Sequence, residues 1–277
     1  MSVRGFREIV ISGMLKVEVR ALSPLTIGSG RVEQDPAAPD IPLLKDSNGR
    51  PYIPGSTLKG FVRSGIERVL LGTGIPSRKA LVNDLMGTVE PQAYGSRLLF
   101  TDAPVIGDPN SDFVVGIREH VALNPSTMAV RHGPFKQEYV EPGAKFKGLI
   151  SFRNVPPSLL SLMKPIADLA KLGVLRLGRS KSRGYGHVDL IFHDLALALI
   201  MPDGVNEESF HLQFPAMGRS VVLKISRQGE SIALWDDLSD CEVRGRLKEQ
   251  NSLMADVEVS WSDVTRCFDP LIGRLKG

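Results

Sequence analysis

Two hydrophobic periodicities follow one another along the chain, and their order restricts the fold more than any other feature. Residues 14–22 alternate apolar and charged side chains, which is the two-residue period of a half-buried strand. Residues 56–72 instead repeat apolar side chains at helical spacing, with Ser56 as the predicted N-cap and Gly72 as the predicted end. Further strands are predicted at residues 97–103, 113–118 and 146–152.

A second helix and a last strand complete the predicted order of elements in the core. A second helix is predicted at residues 158–172, with a kink at Pro165 and a stop at Gly173, followed by a strand at residues 187–192. The order of strand, helix, strands, helix and strand is the βαββαβ plan of a ferredoxin-like (RRM-like) α+β fold. Two segments, at about residues 28–54 and 123–145, are longer than ordinary connections and are predicted insertions.

The chain is therefore predicted to consist of a core and an appendage. Residues 1–195 form the RRM-like core with its insertions, and residues 196–277 form a C-terminal extension of unknown role. Within the extension, apolar stretches such as SVVLKI and SIALW predict strands, and a short helix is predicted after Ser262.

Size and composition predict a fold that is stable without disulfides or structural metal ions. With 277 residues, 42% of them hydrophobic, the chain can bury a full core. Cys241 and Cys267 stand outside any CxxC or Cys/His spacing, which predicts two buried free thiols and no zinc site. No apolar run reaches the roughly 20 residues of a membrane-spanning helix, and the chain start lacks the apolar stretch of a secretion signal. We therefore expect a cytoplasmic protein without a membrane partner.

The distribution of charge says more than the net charge of +3. Residues 176–187 hold a run of cations and no acid, and the glycines of residues 178–186 allow close backbone approach. The cations are Arg176, Arg179, Lys181 and Arg183. Tyr185 adds a stacking surface of the kind that single-stranded RNA uses. A mobile surface turn has the same composition, so this loop alone leaves a nucleic-acid site and a solvated face both open.

A second loop, at residues 51–60, delivers the chain into the first predicted helix. Free N–H groups at a helix start, together with the hydroxyls of Ser56 and Thr57 and the nearby Lys59, suit a phosphate. Arg63 extends the basic side of this helix. The alternative is an ordinary, well-capped helix start.

Acidic residues gather just before this loop. They are Glu33, Asp35, Asp40 and Asp46. Acids beside a bound phosphate are unfavourable unless they hold a metal ion or position a nucleophile. The alternative is a solvated acidic loop.

The two loops together resemble the RAMP superfamily (repeat-associated mysterious proteins) of CRISPR systems over residues 8–193. PYIPGSTLKGFVRS is similar to the family signature before its first helix, and LGRSKSRGYGHV is similar to its glycine-rich loop. The stretch DIPLLKD, which begins at Asp40, resembles the backbone subunit of type III effector complexes, in which an aspartate at this position cuts target RNA. VALNPSTMAV resembles that subunit's thumb, and the segment before the first helix corresponds to a lid. Asn124 stands where a basic thumb residue is expected, so thumb contacts carry over loosely.

The resemblance implies a guide (crRNA)-binding subunit that packs with copies of itself and other RAMP subunits and cuts target single-stranded RNA. Asp40 would assist attack of the neighbouring 2′-hydroxyl on the phosphate, with a divalent cation, Mg²⁺ or Mn²⁺, neutralising developing charge. The implied RNA-binding residues are Ser56, Thr57, Lys59, Arg63, His132, Arg179, Lys181, Arg183 and Tyr185.

Three other functions stay open. A non-catalytic RNA-binding or capping subunit of the same complex would share both loops without cutting. A repeat-RNA processing endonuclease shares the fold, but usually relies on a histidine near its first helix, and no histidine precedes His120 here. An unrelated metabolic enzyme is the third.

Overall fold

The computed structural model describes residues 2–3, 8–28, 38–90, 92–124, 126–127 and 130–276, with the side chains of residues 2–3, 122–123 and 131–133 left out. The strands are β1 (Ser2–Val3), β2 (Ile11–Ala21), β3 (Tyr52–Ile53), β4 (Leu98–Phe100), β5 (Ala103–Pro104), β6 (Val115–Leu123), β7 (Val130–Val140), β8 (Lys145–Arg153), β9 (Val188–Ile200), β10 (Glu207–Phe214), β11 (Arg219–Gln228), β12 (Ser231–Asp236), β13 (Cys241–Gln250) and β14 (Met254–Val259). The helices are α1 (Gly55–Thr73), α2 (Arg78–Met86), α3 (Pro157–Leu160), α4 (Met163–Lys171), α5 (Trp261–Thr265) and α6 (Phe268–Lys276).

Most strands belong to one large mixed sheet, so the predicted mixture of helices and strands is confirmed. Its order is β1-β10-β11-β12-β13-β14-β9-β2-β8-β4. Strand β2 is central, because it pairs antiparallel with β9 on one side and β8 on the other. The pairs β3-β5 and β6-β7 form separate two-stranded sheets.

The core lies between this sheet and helices α1 and α4. Alternate residues of β2, such as Leu15 and Val19, are fully buried, as its two-residue period predicts. Helix α1 contributes Ile66, and it approaches α4 closely at Gly65, where an added Cβ would lie 2.9 Å from Cγ1 of Ile166. None of the helices in the described part of the chain is long and apolar enough to span a membrane.

The start of α1 differs from the prediction. The N-cap is Pro54 and not Ser56, which lies one residue inside the helix. The role expected of Ser56 is taken by a distant residue, because the Gly55 N–H donates to Oδ1 of Asp102 at 2.7 Å. The helix also runs past Gly72 and ends at Thr73, followed by Gly74 as the C-cap with a φ of 74°.

The second predicted helix is two helices. The chain leaves α3 at Ser161 and re-enters a helix at Met163, so the break precedes Pro165 rather than falling on it. Pro165 instead sits in the first turn of α4, where a missing N–H breaks no helical hydrogen bond. Gly173 follows the helix end with a φ of 72°, as predicted.

The C-terminal segment continues the main sheet. Strand β9 runs through Leu195 without a break and pairs with β14, and strands β10 to β13 extend the same sheet. Arg97 reaches across to this segment, since its guanidinium donates to the Gln213 carbonyl and covers the Phe214 ring at 4.4 Å. The division at residues 195 and 196 therefore stays a prediction, while the sheet itself crosses that position.

The prediction of two free thiols is wrong. Cys241 and Cys267 form a disulfide that joins the start of β13 to the residue preceding α6. The sequence carried no signal for it, because a separation of 26 residues matches no known motif and only the folded chain brings the segment between α5 and α6 against the start of β13.

Replacing both cysteines with alanine is expected to lower the free energy of unfolding by about 3 kcal/mol, because the unfolded chain is no longer cross-linked. Urea unfolding of the wild type and the double variant measures this difference. The wild type should lose the same amount when it is unfolded in reductant. A variant as stable as the oxidised wild type would contradict the prediction.

Candidate nucleic-acid interface

A groove of about 460 Å³ runs between α1 and the segment that follows α4. Helix α1 lines it with Thr57, Gly60, Phe61, Ser64 and Arg68. The other wall is residues 173–179 and Lys181, and the floor includes Ile27 and Gly28. The two loops singled out in the sequence, the helix start and the glycine-rich loop, therefore meet at one surface.

The described lining of the groove is basic. Four cations line it, and no acidic residue is among the described residues around it. They are Arg68, Arg176, Arg179 and Lys181. Arg68, Arg179 and Lys181 are exposed, whereas Arg176 is half-buried and braces the loop by donating to the carbonyls of Gly173 and Tyr185. Such a surface can hold a polyanion in an extended conformation.

The glycine-rich loop is closely fitted rather than loose. Gly178 has a φ of 81°, and a Cβ there would lie 2.3 Å from the Thr26 carbonyl oxygen. Gly186 has a φ of 78°, and a Cβ there would lie 2.0 Å from the Leu177 carbonyl oxygen. The Arg179 N–H donates to the Thr26 carbonyl at 2.9 Å. These contacts hold the backbone still and leave the cationic side chains facing outward.

The helix start contributes less than the sequence predicted. The N–H of Gly55 is taken by Asp102, and those of Thr57 and Leu58 donate to the Pro54 carbonyl. Of the predicted residues on α1, Thr57 lines the groove, while exposed Ser56 and half-buried Lys59 do not. Phosphate binding here would depend on side chains more than on free backbone N–H groups.

Arg63 is not brought to the groove. Its guanidinium donates to Asn83 and to the Gly87 carbonyl, at 3.0 Å and 2.9 Å, and pairs with Glu67. It therefore ties α1 to α2. The site prediction missed two cations that line the groove, Arg68 and Arg176. Arg68 shares a helical face with Thr57, Phe61 and Ser64.

The prediction that Tyr185 offers a stacking surface for RNA is wrong for this structure. Its side chain is only 1% exposed, so its ring cannot stack on a base in this conformation. The hydroxyl lies 3.2 Å from Nε2 of His120, and the ring meets Tyr139 edge-on at 6.0 Å. The β6-β7 hairpin covers it. Arg118 lies over the ring at 5.6 Å and completes the contact.

The same hairpin contact involves Arg183. Its guanidinium lies 5.4 Å from the Phe135 ring, which in turn stacks on His120. Burial lowers the pKa of His120, and the nearby Arg183 and Arg118 lower it further. His132 lies on β7 opposite Ala122, but its side chain falls outside the described residues.

Asp40 stands apart from the groove. It is exposed, and its Oδ2 accepts the Lys136 N–H at 2.7 Å, which places it beside β7. Glu33 and Asp35 lie outside the described residues. Within the described residues no group of three His, Cys, Asp or Glu side chains could hold a metal ion. Asp40 alone could hold Mg²⁺ only together with phosphate oxygens of a bound substrate, as in other sites with one or two carboxylates.

Comparisons with known proteins complete the description of the site. A family model described as the RAMP superfamily matches residues 18–189. No curated protein matches the chain. Among solved structures, a chain of the type III-B Cmr-beta complex bound to cognate target RNA shares 23% identity over 65% of this chain, with a TM-score of 0.48. This chain spans only 59% of that protein's length.

A chain of the same complex in its apo state shares 14% identity, covering 65% of this chain and 96% of its own, with a TM-score of 0.46. The family is assigned from the family model and not from these structural likenesses. The model matches more than half of the chain, and the matched residues include both walls of the groove. This protein therefore belongs to the RAMP superfamily.

Proposed function

We propose that this chain is a guide (crRNA)-binding backbone subunit of a type III CRISPR ribonucleoprotein effector complex, and that Asp40 cleaves target single-stranded RNA. The observation that carries the proposal is the groove in which the helix start and the glycine-rich loop face each other, since its described lining holds four cations and no acid. A ribose-phosphate strand needs such a row of cations, and base identity plays no part in holding it.

We also assign the core to the ferredoxin-like plan. In the main sheet β9, β2, β8 and β4 are neighbours in that order, which corresponds to the fourth, first, third and second strands of βαββαβ. Helices α1 and α4 follow β2 and β8 in the chain and pack on each other. This arrangement brings the end of α4 and the start of α1 to the same side of the core, where the groove lies.

Guide and target would occupy separate surfaces of the subunit. The guide backbone lies along the groove against Arg68, Arg179 and Lys181, while the target strand passes Asp40 beside β7. The β6-β7 hairpin presents exposed apolar side chains, with Ile117 57% and Val121 54% exposed, which suit contact with unstacked bases or a neighbouring subunit. Partners would be other RAMP subunits and further copies of this chain, in the cytoplasm.

The chemistry assigned to Asp40 is proton abstraction. Its carboxylate takes the proton of a target 2′-hydroxyl, whose oxygen forms a bond to the adjacent phosphorus as the P–O5′ bond breaks. The products are a 2′,3′-cyclic phosphate and a 5′-hydroxyl, which takes up a proton from water. A bound Mg²⁺ or Mn²⁺ supplies charge neutralisation at the phosphate. One carboxylate suffices if the bound strand is already bent into the in-line geometry.

The groove is tested by removing its exposed cations. The triple variant Arg68→Ala, Arg179→Ala and Lys181→Ala is expected to reduce the salt dependence of single-stranded RNA binding by about 2 in log–log slope, at about 0.7 per lost phosphate contact. Fluorescence anisotropy with a labelled oligouridylate at several salt concentrations measures the slope. Arg176 is kept, because it braces the loop.

The matched control removes three cations from the C-terminal segment, where each pairs with an acid: Arg246→Ala, Lys248→Ala and Arg266→Ala. This variant has the same change of net charge and should keep nearly the wild-type slope. Equal loss in both variants would mean that RNA senses only overall charge, and the groove would not be the binding site.

A non-catalytic subunit of the same complex is the second candidate. It is favoured by the position of Asp40, which already accepts a backbone hydrogen bond and has no cluster of acids around it among the described residues. Substitution of Asp40, argued in the Discussion, separates the two.

A further inference from the structure

A buried row of hydrogen bonds leads inward from the glycine-rich loop. Ser180 Oγ donates to Gln137 Oε1 at 2.9 Å, and Gln137 Nε2 donates to Thr26 Oγ1 at 2.9 Å. Thr26 Oγ1 then donates to the Glu138 carbonyl at 2.8 Å. Gln137 and Thr26 are both 0% exposed. Because every donor points the same way and the surroundings are dry, the bonds reinforce one another.

The far end of this row holds the segment that carries Asp40. The Glu138 carboxylate accepts the Leu43 N–H and the Lys45 ammonium, both at 2.9 Å. Its backbone N–H donates to the Ile41 carbonyl at 3.0 Å, while Asp40 is bonded to the Lys136 N–H. Residues 40–45 are thus registered on β7 by the three consecutive residues 136–138.

The near end of the row lies in the glycine-rich loop. Ser180 has a φ of 55°, a left-handed conformation that L-residues other than asparagine and aspartate rarely adopt. It lies between Arg179 and Lys181, which both line the groove. Its bond to Gln137 at 2.9 Å offsets the cost of this conformation and ties the loop to β7.

We propose that Gln137 is a positioning residue that links occupancy of the groove to the placement of Asp40. An RNA strand that steadies the glycine-rich loop would, through Ser180 and Gln137, steady residues 136–138 of β7 and the Asp40 segment bound to them. A buried amide with both ends bonded is sensitive to either partner, since an unsatisfied end carries a large desolvation penalty. The inference rests on the proposed function, because it requires RNA in the groove.

Hydrogen exchange of the full chain with and without oligouridylate tests the link. In the wild type, RNA should slow exchange at the loop amides of Arg179 and Arg183 and also at Leu43 and Leu44, which bond to Glu138 and Ile27. In Gln137→Met, which keeps side-chain length but neither hydrogen bond, slowing should persist at the loop and be lost at Leu43 and Leu44.

The control is Gln250→Met, which also loses two side-chain bonds, to Arg227 and to the Met201 carbonyl, none of which lines the groove. It should behave as the wild type. Slowing at Leu43 and Leu44 that survives in Gln137→Met overturns the inference. Absence of slowing at the loop in the wild type would instead remove the proposed RNA site, so the two failures are distinguishable.

A second variant covers the case in which Gln137→Met does not fold. Ser180→Ala cuts the same row at its solvent end and should also uncouple Leu43 and Leu44 from RNA. In the assembled complex, both variants should lower the turnover of target cleavage about tenfold to a hundredfold with guide affinity unchanged, as expected for a displaced catalytic group. Equal losses of guide affinity and turnover would indicate a structural role and overturn the assignment.

Discussion

Replacement of Asp40 with asparagine is expected to lower the rate of target RNA cleavage by the assembled complex at least about a hundredfold, with guide binding unchanged. Asparagine retains an acceptor oxygen for the Lys136 N–H, so the segment keeps its place beside β7. It loses the negative charge that takes the 2′-hydroxyl proton. Single-turnover cleavage of labelled target RNA by reconstituted wild-type and variant complexes measures the effect.

Asp46→Asn is the matched control. The Asp46 carboxylate accepts hydrogen bonds from the N–H groups of Asn48 and Arg50 and so stabilises the turn that follows it. Asparagine can fill the same role. Cleavage by this variant should equal that of the wild type. Unchanged cleavage in Asp40→Asn would exclude the nuclease assignment and leave the non-catalytic subunit. Asp40→Ala, which also loses the bond to Lys136, would then show whether the bond alone matters.

The second large effect is expected at Gly186. Gly186→Ala should lower the free energy of unfolding by about 3 to 4 kcal/mol, because the left-handed backbone and a direct clash act together. The added Cβ would lie 2.0 Å from the Leu177 carbonyl oxygen, and the two residues are already tied by the Leu177 N–H to Gly186 carbonyl bond. Neither backbone can yield without opening the loop. RNA affinity should fall with stability. Urea unfolding and anisotropy measure the two effects.

Gly184→Ala separates conformation from contact. Gly184 has a φ of 89°, but a Cβ there would meet nothing within 4 Å. The free energy of unfolding of this variant should fall by only about 1 to 2 kcal/mol, which is the cost of placing alanine in the left-handed conformation. Equal losses at Gly184 and Gly186 would mean that the loop is not packed against Leu177 as described.

Local pattern predicted the repeating elements well and their ends less well. The alternation along β2 and the helical spacing along α1 depend on which side chains are apolar, so both were visible in the sequence. The cap of α1 was not, since Asp102 lies 47 residues from Gly55. A distant carboxylate at a helix start leaves no trace in the residues around that start.

The two arginines of α1 show why the site could be predicted only in part. Arg63 and Arg68 look alike in sequence, but five residues turn them to different sides of the helix. One side meets α2, a helix that the pattern did not predict, and the other meets the groove. Tyr185 was misjudged for a related reason, because the hairpin that buries its ring lies far away in the chain.

The order of amino acids was enough to place strands β2, β8 and β9 and helix α1 and to single out the two loops, since periodicity, glycine and proline act over a few neighbouring residues. Packing alone settled which cations share a groove, which cysteines join and which side chains connect the basic loop to Asp40. Those relations join residues far apart in the chain, such as Ser180 and Gln137. They exist only once burial in the core has brought the segments together.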